Sequence, residues 1–75
     1  MDDYIDKLIE SIIGGRVEGT DYDLIETYGV DSMMMMQIIV EIEKEFDIEI
    51  PDEFLDLDFL RYKHNLVKII QETNR

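Results

Sequence analysis

Cysteine is absent from these 75 residues, so neither a disulfide nor a thiolate metal site holds the chain together. Basic residues are scarce: 7 lysines and arginines stand against 19 acids, for a formal charge of −12. That balance excludes a nucleic-acid surface, which needs a basic footprint. No apolar run approaches the length of a membrane span, and the opening Met1-Asp2-Asp3-Tyr4 lacks the basic region of a signal peptide. A soluble cytoplasmic protein is expected. Strand-like alternation never lasts beyond a few residues, Ile48-Glu49-Ile50 being the one hint, and no internal repeat appears.

Enzyme signatures are missing as well. No serine sits in a Gly-x-Ser-x-Gly elbow, and the one histidine, His64, has no motif linking it to a serine. Among Tyr62, Lys63 and Asn65 it reads as a surface residue rather than a general base. Asp21-Tyr22-Asp23 begins like a calcium loop, but Ile25 and Glu26 stand where a ligand and a glycine are needed. Gly14-Gly15-Arg16-Val17-Glu18-Gly19 lacks the Gly-Lys-Ser/Thr ending of a phosphate-binding loop. Both read as turns, so neither a catalytic residue nor a resident metal is expected.

What the chain has is apolar material. At 45 % apolar it is too rich for a disordered acidic tail, and its length suits one domain, residues 1–75, near the lower limit for a self-sufficient core. Charge is unevenly placed. From Phe59 onward Arg61, Lys63, Lys68 and Arg75 face one acid, Glu72, leaving +3 there and −15 over residues 1–58. So anionic a surface would steer basic partners and cost some stability through self-repulsion.

Three amphipathic helices are readable. Tyr4, Ile5, Leu8, Ile9, Ile12 and Ile13 recur at three- and four-residue spacing, with Asp3 and Asp6 as candidate caps and Gly14-Gly15 as the stop. Residues 15–31 read as a long connection that Leu24, Ile25 and Tyr28 tack to the bundle. The second helix is expected from Ser32 to Phe46. Pro51 then stops any continuation and starts a short turn over Asp52 to Asp56. The last helix is expected from about Leu60 to Thr73, with Asp58 as its candidate cap and Leu66, Val67, Ile69 and Ile70 on its buried side.

The second helix carries two apolar stripes. At 100° per residue, Met35, Ile38, Ile39, Ile42 and Phe46 share the core arc, whereas Met33, Met36 and Val40 share another. A helix in a small bundle needs one buried stripe. The second is either covered by the long connection or exposed to a partner, a use that suits flexible, polarizable methionine.

At the mouth of this helix stands Gly29-Val30-Asp31-Ser32. A serine there is by itself most often a cap. Its hydroxyl nevertheless lies in solvent beside unsatisfied backbone N–H groups, at an end that favours phosphate. The Asp31-Ser32 pair is approached by Leu24-Ile25-Glu26-Thr27-Tyr28-Gly29 and followed, beyond the helix, by Phe46-Asp47-Ile48-Glu49-Ile50-Pro51. This constellation resembles the acyl carrier protein family, which includes peptidyl and D-alanyl carriers, most clearly from Leu24 to Ile70.

The resemblance implies an all-α, four-helix bundle: three main helices, a short third helix, and a long loop between helices 1 and 2. It implies that Ser32 carries 4′-phosphopantetheine, transferred from coenzyme A by a Mg²⁺-dependent phosphopantetheinyl transferase. Asp31 either assists the Mg²⁺ during that transfer or only caps the helix. The implied role is to hold acyl or aminoacyl intermediates as thioesters for fatty-acid, polyketide, nonribosomal peptide or related biosynthesis. Acyl- or aminoacyl-loading and transferring enzymes with basic docking surfaces are the implied partners, met through Met33, Met36, Val40 and Glu41 of a monomer. Tyr28 departs from the family's usual leucine, and Met34 from its usual polar residue. The rival reading is a non-catalytic acidic helical module that binds a basic partner, which leaves Asp31-Ser32 a coincidence.

Overall fold

Tyr4, Ile5, Leu8, Ile9, Ile12 and Ile13 wind onto one side of α1 (Asp2–Ile13), where Ile5, Leu8 and Ile9 are buried and the others half-buried. The computed structural model describes residues 2–73; Met1 and the basic Arg75 counted in the charge lie outside them. The helix already includes Asp2, so Asp3 lies within its first turn. Asp6 is no cap either, because its carboxylate bonds Tyr22 and Lys63 across the fold. Gly14 ends the helix as expected, at φ 72°, with its N–H on the Glu10 carbonyl at 2.9 Å.

The long connection holds a helix of its own, α2 (Leu24–Tyr28). Asp23 caps it, its carboxylate accepting from the Ile25 and Glu26 amides at 3.0 Å. Gly29 closes it in the left-handed region, at φ 69°. Tyr22, Leu24 and Val30 are buried, so the connection is packed down by its own side chains. The unusual Tyr28 has a role here. Its hydroxyl accepts from the Glu18 amide at 2.7 Å, and its ring meets Tyr22 edge-on at 5.2 Å.

Central to the bundle is α3 (Ser32–Phe46), with the limits that the sequence implies. Met35, Ile38, Ile39 and Ile42 are fully buried against α1 and the rest of the core, and Phe46 meets Tyr4 edge-on. Asp47 ends the helix at φ 52°. Glu43 holds the turn that follows, its carbonyl accepting from the Ile48 amide and its carboxylate from the Ile50 amide at 2.9 Å. After Pro51 comes one 3₁₀ turn, Asp52–Phe54.

The expected last helix divides in two. A short α4 (Leu57–Leu60) is capped by Asp56, not Asp58, and α5 (Lys63–Thr73) begins three residues after α4 ends. The break has a backbone cause. The Leu24 amide donates to the Arg61 carbonyl at 2.6 Å and the Lys63 amide to the Tyr22 carbonyl at 3.0 Å, an antiparallel bridge between Asp23 and Tyr62. The Lys63 amide bonded to Tyr22 cannot also serve as a helical i→i−4 donor. The fold is all-α: α1, α3 and α5 are the main helices, and α2, α4 and the 3₁₀ turn are short.

Candidate functional site

The local structure at Ser32 is assembled from three neighbours. Gly29 reverses the chain, Val30 (1 % exposed) plugs into the core, and Asp31 adopts an extended backbone at φ −100°. The Asp31 carboxylate accepts from the Met34 amide at 2.9 Å, and its carbonyl accepts from Met35. Asp31 is therefore the cap, and Ser32 is the first residue inside the helix. Ser32 is spared that duty. It is exposed, and its hydroxyl bonds no other described residue.

This arrangement fits a phosphoester. The Ser32 and Met33 amides precede the first intrahelical bonds, so the helix end offers unsatisfied donors and a partial positive charge. An anion on the Ser32 Oγ lies where those donors act. The neighbouring Asp31 carboxylate opposes it and makes a cation between the two favourable. Among the described residues no group of three or more histidine and acidic side chains is placed to hold a metal.

Down α3 from Ser32 runs the second stripe. Met33 is 78 % exposed, Met36 51 % and Val40 42 %, and the acidic Glu41 beside them is exposed too. The connection between α1 and α3 does not cover them. Met36 and Val40, with Leu8 and Ile12 of α1, line an open groove of about 460 Å³ that Glu41 edges. Spacing alone does not mark Leu8 and Ile12 as groove residues, because it assigns them to the apolar side of α1 without saying where its edge meets solvent. Lys44 lies 3.9 Å from Glu41, both exposed, a pair of little energetic weight.

His64, Asp21, Asp23 and Tyr22 are held together elsewhere. The His64 ring lies 2.8 Å from Asp21 and stacks on Tyr62. Asp21 also accepts from the His64 amide at 3.1 Å. Slight burial acts to raise the Asp21 carboxyl, but these bonds and the histidine charge hold it below the usual range. Asp23 pairs with Arg61 at 2.8 Å. Burial, then the hydrogen bond to Asp6, push the Tyr22 hydroxyl far above an ordinary phenol. Thus Asp21 holds the connection against the start of α5, and Asp23 holds it against the end of α4.

Comparison with known proteins identifies the family. The chain matches the family described as "Phosphopantetheine attachment site" over residues 3–61. It is similar to an acyl carrier protein of Rickettsia bellii (strain OSU 85-389), 43 % identical over 49 residues, which is 63 % of this chain and 60 % of that protein. The acyl carrier protein of strain RML369-C is 41 % identical over 49 residues, 63 % of this chain and 57 % of its own length. The match thus spans about three fifths of these curated relatives. No solved structure gives a significant match. No helix among the described residues is long and apolar enough to cross a membrane. With the family matched across α1 to α4, the chain belongs to the phosphopantetheine-attachment family of carrier proteins, and its cofactor is covalently held 4′-phosphopantetheine.

Proposed function

We propose that Ser32 is the attachment point, and that the chain carries acyl or aminoacyl intermediates as thioesters and presents them to partner enzymes. The observation that carries this reading is the exposed, unbonded Ser32 hydroxyl at the mouth of α3, within the matched stretch. In the loading step the Ser32 Oγ bonds to the pantetheine-side phosphorus of coenzyme A. The diphosphate bond breaks, adenosine bisphosphate leaves, and the hydroxyl proton passes to a base of the transferase. Asp31 contributes a carboxylate near the entering phosphate, suited to sharing the transferase's Mg²⁺. When bound, the cofactor supplies a terminal thiol on a mobile arm, which raises the cargo's effective concentration at each partner's active site.

This chain's own part is recognition. Met33, Met36 and Val40 form an apolar face that Glu41 edges, on a chain of net charge −12. A partner with apolar contacts ringed by basic side chains complements it in both respects. The phosphopantetheinyl transferase and the enzymes that load and unload the thiol are the expected partners, met by a soluble cytoplasmic monomer. Fatty-acid, polyketide and nonribosomal peptide synthesis all use such chemistry.

The test is an intact mass after incubation with coenzyme A, Mg²⁺ and a promiscuous transferase. The mass should rise by one phosphopantetheine unit, and Ser32→Ala should abolish the gain with helical circular dichroism preserved. No gain in the parent, or a gain that survives Ser32→Ala, would reject the assignment. The first outcome leaves the acidic interaction module as the reading.

A further inference from the structure

Four consecutive methionines, Met33 to Met36, meet four different environments on α3. Met33 is 78 % exposed and Met36 51 %, whereas Met34 is half-buried and Met35 is 1 % exposed. The two exposed residues stand one turn apart on the stripe that begins beside Ser32, and Met36 also walls the groove against α1. Leucine would make that stripe equally apolar. What methionine adds is a sulfur that a two-electron oxidant converts from apolar to polar, and that a dedicated reductase restores.

Building on the carrier reading above, we propose that Met33 and Met36 are reversible oxidation sites whose sulfoxides weaken partner docking. The oxidant is a peroxide. The thioether lone pair attacks one peroxide oxygen, an S–O bond forms and the O–O bond breaks. The displaced oxygen takes up the proton lost by the transferred oxygen and leaves as water, or as an alcohol from an alkyl peroxide. Sulfur is oxidised by two electrons and the peroxide is reduced by two. Methionine sulfoxide reductases reverse the change at the expense of thiols.

Selectivity comes from the helix geometry. Oxidant and water reach Met33 and Met36, while Met35 packs against the core and reacts only when the domain opens. Modification therefore falls on the surface stripe and leaves the fold intact. Each sulfoxide oxygen must then lose its water against the apolar contacts of the partner, inside the basic ring that carries its donors. An unmatched polar group of this kind lowers recognition on the order of tenfold.

The experiment uses the full chain before and after brief hydrogen peroxide treatment. Each sample is peptide-mapped by mass, melted, and assayed for its rate of phosphopantetheine transfer at subsaturating concentration. Sulfoxide should appear first at Met33, then at Met36, with Met35 intact. The rate should fall on the order of tenfold at an unchanged melting point, and sulfoxide reductases with a thiol should restore it. In Met33→Leu/Met36→Leu, the treated rate relative to that variant's own untreated rate should stay near unity.

Oxidation of Met35 as fast as Met33, or an undiminished rate in chain oxidised at both sites, overturns the proposal. So does a rate loss that accompanies unfolding or persists in the double variant. An untreated chain that accepts no phosphopantetheine rejects the carrier reading and this proposal with it, whereas normal loading before and after oxidation rejects only the proposal.

Discussion

The Lys63 ammonium, with 3 % of its side chain exposed, lies 2.9 Å from the Asp6 carboxylate. The same carboxylate oxygen accepts from the Tyr22 hydroxyl at 2.6 Å, and the ammonium lies 5.4 Å from the Tyr22 ring centre. One acid on α1 thus joins the connecting segment to the first residue of α5. Beside this half-buried trio, the Asp21–His64 and Asp23–Arg61 pairs carry the same association to the surface.

Removing the anion from this trio strands a buried cation and a buried hydroxyl. Asp6→Ala is expected to cost about 3–5 kcal/mol in urea unfolding. Lys63→Met, which replaces the charge with an apolar chain of similar length, should cost distinctly less. Equal, small losses would mean that water reaches the pair.

Capping and attachment fall on adjacent residues, so stability and loading should separate. Asp31→Ala removes the acceptor for the Met34 amide and should lower stability by about 1 kcal/mol. Ser32→Ala should leave the thermal melt near that of the parent. A melt lowered as much by Ser32→Ala as by Asp31→Ala would show that the hydroxyl shares the capping.

The two faces of α3 should respond oppositely to substitution. Ile42 is 1 % exposed, and Ile42→Ala should cost roughly 2–5 kcal/mol, enough to unfold a large fraction of so small a domain. Val40→Glu, on the open stripe, should change the melt little while slowing modification by the transferase, because it charges an apolar contact. The comparison is a melt of each variant beside its loading rate; similar melts would place Val40 in the core.

Asp23 should make the contact between the connection and Arg61 sensitive to acid. Burial acts to raise its carboxyl, but the hydrogen bonds from Arg61 and from the Glu26 and Ile25 amides hold it below the usual carboxylate range. Folding thus favours the ionised form. Its contribution is fully present above the unfolded-state value, about pH 4, and is lost as pH falls through the lower folded-state value. Asp23→Asn keeps an acceptor for the α2 amides but removes the charge. The stability gap between parent and variant should therefore be open at neutral pH and close in acid. A gap independent of pH would mean that the Arg61 pair contributes nothing in solution.

The limits of α3 and the identity of its core face were legible in the residues themselves. A capping aspartate, a sustained 3.6-residue period and a stop before Pro51 are local signals, each acting within a few positions of the backbone it shapes. The candidate site was legible for the same reason, since Asp31, Ser32 and the methionines lie within one and a half turns. The division of the last helix was not. It follows from Tyr22 and Leu24 engaging the backbone of residues 61–63, some forty positions away.

Nor did spacing distinguish Lys63 from a solvated lysine, because its burial requires Asp6 of α1 and Tyr22 of the connection. The helix within that connection likewise depends on Leu24 and Val30 finding the common core. Whether the second stripe of α3 stayed open was a tertiary matter too, decided by where the connection packed. Periodicity assigns side chains to faces of a helix; only the packing of distant elements, each offsetting the entropy of ordering the other, determines which faces meet water.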